Sequence, residues 1–164
     1  MRHCNADLII REMKQEEFHL LANFLYEAIF VPNGVEPPPK SIIYRPELQV
    51  YISDFGKSEH DIALAAEVKG EIVGVVWVRI MNDYGHIDDK TPSFAISLYK
   101  EYRSRGIGTA LMKAMLSTLK QRGYKQASLS VQKANFAAEL YRKLGFQVVQ
   151  ENEEEYLMVK KLND

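Results

Sequence analysis

Apolar side chains recur along this chain with two different periods. Phe18, Leu21, Leu25 and Ile29 keep the spacing of one helix face, which predicts a helix from about Lys14 to Ile29. Ile107, Leu111, Met115 and Leu119 repeat that spacing with Lys113, Lys120 and Arg122 on other faces, and Gly123 ends the helix they predict. A further helix is expected from Asn135 to Leu144, closed by Gly145, and a short one from Pro46 to Phe55 with proline in its first turn. Between them lie runs with strand character. These are Leu8 to Arg11, Asp61 to Val68 and Glu71 to Ile80 as a hairpin about Lys69-Gly70, and Ser93 to Leu98. Ala127 to Val131 alternates as a strand, and Phe146 to Val149 and Tyr156 to Val159 flank an acidic turn, Glu151 to Glu155.

The resulting order, β-α-α-β-β-β-α-β-α-β-β, is that of a mixed α/β domain with antiparallel hairpins and one crossover helix that makes a strand pair parallel. With 164 residues, 46% of them hydrophobic and 26% charged, the chain has the make-up of one globular domain covering residues 1–164. Its 21 basic and 22 acidic side chains give a formal charge of −1, so no whole-chain field favours nucleic acid or an anionic membrane. The longest apolar stretch, Ile72 to Val78, is too short to span a bilayer, and no hydrophobic signal core follows Met1. A single cysteine, Cys4, suits a reducing compartment, and a cytoplasmic protein is expected. The prolines between Val31 and Pro39 stop the first helix and make a stiff loop, Phe30 to Tyr44, of the length that commonly carries function.

The candidate chemistry begins where the last strand before the crossover helix ends. Arg103-Ser104-Arg105-Gly106-Ile107-Gly108 feeds directly into the helix that starts Thr109-Ala110-Leu111. The first turn of a helix has amide groups without partners and the positive end of the dipole, so such a loop is suited to an anion, above all phosphate. A nucleoside triphosphate loop would need Gly-Lys-Ser/Thr, but Thr109 follows Gly108 directly. A dinucleotide fingerprint would need a third small residue where Leu111 stands, and an acid where Ser128 stands. Both readings fail at those positions.

The hexapeptide resembles the Arg/Gln-x-x-Gly-x-Gly/Ala motif of the GCN5-related N-acetyltransferases, which cradles the pyrophosphate of acetyl-coenzyme A. A second segment, Asn135, Ala138, Leu140-Tyr141 and Gly145-Phe146, resembles that family's Asn-x-x-Ala-x-x-Leu-Tyr-x-x-x-Gly-Phe region. The resemblance implies a central, largely antiparallel mixed sheet of six or seven strands with about four helices. It implies acetyl-coenzyme A as co-substrate, no metal, and transfer of acetyl to a primary amine of a small molecule, peptide or protein by direct attack in a ternary complex. It further implies that Arg103, Ser104, Arg105, Gly106, Ile107, Gly108 and Thr109 surround the pyrophosphate. Ile96, Ser97 and Leu98 would run beside the pantetheine, with the Leu98 N–H facing the carbonyl oxygen. Asn135 would touch pantetheine, and Tyr141 would serve the departing thiolate. Lys100 and Ser104 depart from the family's frequent proline and glycine. A homodimer is left open, and so is a non-catalytic acyl-coenzyme A sensor of the same fold.

A lysine-like amine is only about 0.04% neutral at pH 7, so the reaction needs a proton acceptor. No carboxylate occurs between Phe94 and Leu98. His86, Asp88 and Asp89, on the connection before that strand, are the candidates, with His86 first. By fold analogy, the first helix, the Phe30 to Tyr44 loop and the Asn82 to Thr91 connection would surround the amine, bringing Tyr26, Tyr44, Tyr84, Glu27, Glu36 and Asp83 to its rim.

Overall fold

The computed structural model describes residues 7–81 and 86–162. Cys4, Asn82, Asp83 and Tyr84, all named above, lie outside them. Seven strands form one sheet: β1 (Leu8–Glu12), β2 (Ile62–Val68), β3 (Glu71–Arg79), β4 (Ser93–Leu98), β5 (Gln126–Gln132), β6 (Gln147–Glu151) and β7 (Glu155–Lys161). Their order across the sheet is β1-β2-β3-β4-β5-β7-β6, and every neighbouring pair is antiparallel except β4 with β5. Four α-helices, α1 (Leu21–Glu27), α2 (Pro46–Gln49), α3 (Ile107–Gln121) and α4 (Ala137–Lys143), complete the described elements together with three 3-10 turns. The mixed α/β class and the mostly antiparallel sheet are as the sequence predicts.

Strand alternation divides the core into two layers. Phe94, Ile96 and Leu98 of β4 face the layer that contains Leu111, Met112 and Met115 of α3 and Ala138 and Tyr141 of α4. Ala95 and Tyr99 face the opposite layer, built on Trp77, Val75 and the α1 residues Leu21, Phe24 and Leu25. The sheet is thus buried on both sides where β3 and β4 run.

Two predicted helices are shorter than their apolar spacing suggests. The expected Lys14 to Ile29 helix is a 3-10 turn over Gln15–Leu20 followed by α1. Arg11 grips both carboxylate oxygens of Glu17 at 3.0 and 2.9 Å, and Glu17 Oε1 also accepts the Lys14 amide at 2.8 Å. That grip holds the Glu17 carboxylate against the first turn, where Glu17 N–H bonds Lys14 O with 3-10 spacing. The expected Pro46 to Phe55 helix stops at Gln49. Beyond it, the carbonyls of Val50 and Ser53 accept from the Arg79 guanidinium, and that of Tyr51 accepts from the Trp77 indole N–H. Tertiary donors on β3 therefore take carbonyls that a continuing helix would use.

Candidate active site

The feature that makes a site is a divergence inside the sheet. β4 and β5 share a single register pair, Ser93 with Ser128, whose hydroxyls lie 3.0 Å apart and are fully buried. The Ser128 amide donates to Pro92 O at 3.0 Å, and past this point the two strands part. Tyr99 N–H donates to Val73 O, so the antiparallel ladder directs Ser93, Ala95, Ser97 and Tyr99 toward β3. By the same alternation the peptide groups of Ile96 and Leu98 point the other way, into the gap that β5 has left. The backbone groups that face the gap are therefore those of Ile96 and Leu98. Ser97 faces elsewhere: its hydroxyl donates to Phe24 O of α1 at 2.6 Å.

Helix α3 starts beside this gap. Gly106 caps it in the left-handed region, with φ 84°, and the first helical bond closes from Ala110 N–H to Gly106 O. The amides of Ile107, Gly108 and Thr109 precede that bond and have no intrahelical acceptor. A Cβ built on Gly106 would meet open space, and one on Gly108 would touch Leu98 Cδ1 at 3.5 Å, so the helix start abuts the end of β4. Ser104 also takes a positive φ, 63°, which explains a preference for glycine there that the sequence alone presents as a neutral departure. The Arg105 guanidinium stacks on Tyr102 at 5.2 Å from the ring centre.

Across the gap stands α4. Tyr141 is only 8% exposed, lines the cleft and packs edge-on against Phe146. Its hydroxyl meets no hydrogen-bond partner among the described residues, and burial pushes the phenol up to about 12. Asn135 also lines the cleft. Its Oδ1 accepts the Ala137 amide at 2.9 Å, so it shapes the start of α4, and its amide nitrogen has no hydrogen-bond partner among the described residues.

The cleft joining these parts has a volume of about 970 Å³ and continues past Leu98 to the end of α1 and the proline loop. That loop is folded down by the Tyr26 hydroxyl, which donates to Pro38 O at 2.5 Å. Arg103 binds Leu98 O at 3.0 Å through Nε, and Glu27 O and Oε1 at 3.2 and 3.3 Å through Nη2. Tyr44 is 75% exposed, and neither it nor Glu36 lines the cleft. His86 does not line it either: its Nδ1 lies 3.0 Å from Met81 O and its Nε2 3.9 Å from Asp89 Oδ1. His86 belongs to the connection that enters β4 at Ser93, whereas the gap opens toward Leu98. Among the described residues the carboxylates that do line the cleft are Glu27 and Glu101; Glu101 sits in a 3-10 turn that carries no motif, so no sequence signal marks it. No group of three or more His, Cys, Asp or Glu side chains converges among the described residues.

A profile of the acetyltransferase (GNAT) family matches residues 24–146, three quarters of the sequence. The chain belongs to this family. It is 33% identical over 108 residues to an N-alpha-acetyltransferase of Sulfurisphaera tokodaii, a match covering 57% of this chain and 65% of that relative. Among solved structures it superposes on the PaiA N-acetyltransferase of Thermoplasma acidophilum in complex with coenzyme A, with TM-score 0.69, 20% identity and 94% and 98% of the two chains covered. It also superposes on the ribosomal-protein-S18-alanine N-acetyltransferase of Escherichia coli, with TM-score 0.68, 16% identity and 96% and 95% covered. At these identities the structures establish that the GNAT fold is shared. No helix among the described residues is long and apolar enough to cross a membrane.

Proposed function

We propose that this GNAT chain transfers the acetyl group of acetyl-coenzyme A to a primary amine in a ternary complex. One observation carries the reading: a buried phenol with no hydrogen-bond partner among the described residues, Tyr141, shares a cleft with strand-edge amides that β5 does not pair. Coenzyme A fits those groups, since its pantetheine arm is an extended chain of amides and its diphosphate an anion. It supplies an activated thioester.

The residues divide the work as follows. The amides of Ile107, Gly108 and Thr109, with the Ser104 to Gly106 turn, hold the diphosphate at the start of α3. Ile96 and Leu98 continue their ladder into the pantetheine, as a strand neighbour would, and the Leu98 N–H donates to the oxygen on which negative charge develops. The Asn135 amide reaches the same arm. A thiolate near pKa 8.5 is a weaker base than phenolate, and a phenol held near 12 stays protonated; Tyr141 therefore stabilises the leaving sulfur by donating a hydrogen bond. The proton the sulfur finally takes is the one the amine loses. Glu27 and Glu101 are the carboxylates on the amine side of the cleft, and they displace His86 as the acceptors to test first.

The amine itself belongs to a small molecule, a peptide or a protein, and the single cysteine suits a reducing, cytoplasmic setting. The test is a radiolabelled acetyl-coenzyme A assay across polyamines, amino acids, aminoglycosides and peptides with free N-termini, alongside calorimetric binding of coenzyme A. Transfer to any of these amines supports the reading. Binding without transfer would make the chain an acyl-coenzyme A sensor, and protection by ATP or NAD but not by coenzyme A would end the proposal.

A further inference from the structure

Arg103 opens the glycine loop, but its hydrogen bonds run to the end of β4 and to α1. Glu27 is the last residue of α1, so its carbonyl has no intrahelical donor. Leu98 O points away from β3 into the gap left by β5, so it has no strand donor either. One guanidinium, with donors on two edges, satisfies both carbonyls and adds the Glu27 carboxylate. A cation at a helix C-terminus is also favoured by the dipole. Turning this side chain toward a phosphate would give up all three bonds at once and leave the two carbonyls to solvent.

We infer that Arg103 is a positioning residue that clamps the C-terminal turn of α1 to the end of β4. The residues just past that turn, Ala28, Ile29 and Phe30, line the cleft beyond Leu98. Arg103 therefore sets the wall against which the amine is placed, while the coenzyme is held by loop amides. Ser97 makes a second, buried tie between the same two elements through Phe24 O, which keeps the strand and helix bodies together when the clamp is released. The link to the amine rests on the acetyltransferase reading; the clamp does not.

The test compares Arg103→Ala with Arg103→Gln, whose amide donates hydrogen bonds but carries no charge, in the full chain. In the Ala variant, amide exchange at Ala28 and Ile29 is expected to speed up about tenfold, and the KM for the amine to rise about tenfold. Coenzyme A affinity and its salt dependence stay as in the wild type, and the Gln variant recovers most of both losses. Unchanged exchange at Ala28 and Ile29 would overturn the clamp. So would a coenzyme A affinity that falls about tenfold in both variants with a shallower salt dependence, the mark of a lost phosphate contact. Should the Ala variant not fold, the Gln variant decides the matter by its coenzyme affinity. If the wild type acetylates no amine, the proposed function falls and the exchange rates still judge the clamp.

Discussion

At the scale of single residues, the site depends on groups whose surroundings override their type. Tyr141 is a buried phenol with no hydrogen-bond partner among the described residues, and its environment keeps the proton on. Tyr141→Phe is expected to lower turnover by about 10²-fold or more while coenzyme A affinity is unchanged; equal losses in both would mean that the ring only packs. The pH dependence follows from the raised value. The phenol is protonated below about 12, so any alkaline loss of rate below pH 10 belongs to another group and survives in the Phe variant. Because the folded value exceeds the unfolded one near 10, the stabilisation is complete below pH 10 and is lost as pH rises through about 12. Ser104 is the opposite case, a residue its backbone does not suit. Ser104→Gly relieves a positive φ and should raise stability by up to about 1 kcal/mol in denaturant melts, with no loss of coenzyme binding.

Elements are held in place by contacts that spacing in the sequence does not reveal. Gly74 of β3 lies opposite Leu98, and a Cβ there would come within 2.2 Å of Leu98 Cδ2 and 3.2 Å of Ser97 O. Gly74→Ala should therefore cost about 1–3 kcal/mol in stability and weaken coenzyme binding, since Leu98 must move. Native stability in that variant would show that the strand end has slack. The sequence made the sheet, α3 and the glycine loop legible, because alternation, a 3.6-residue period and a loop entering a helix are local signals. It overextended the first two helices, because Arg11 on Glu17 ties the end of β1 to the turn that follows it, and Arg79 reaches the Val50 and Ser53 carbonyls from a strand far along the chain, and neither contact leaves a mark in the apolar spacing. Nor does spacing along the chain show that Glu101 lines the cleft and His86 does not. The resemblance pointed to the Ile96 to Leu98 end of β4, but local patterning does not show that β5 leaves the strand after Ser93 and opens a gap there.

For the whole molecule, the cleft couples the two core layers. One wall belongs to α3 and α4 and the other to α1 and the proline loop, with β4 between them. A ligand that bridges them resists unfolding of both. Acetyl-coenzyme A at a hundred times its dissociation constant should add about 2.7 kcal/mol and raise the melting temperature by about 5–10 °C, whereas ATP alone should add less. A shift as large with ATP would point to recognition of the nucleotide and not of the pantetheine arm.

The single Ser93–Ser128 pairing means that this sheet has a third edge, hidden between its two outer ones. Exposed edges template the addition of foreign strands and promote self-association. Here the vulnerable edge is the one the carrier's arm would shield, so a preparation stripped of coenzyme should cloud on storage sooner than a saturated one. In the cell, the supply of carrier would then govern how long each molecule lasts as well as how fast it works.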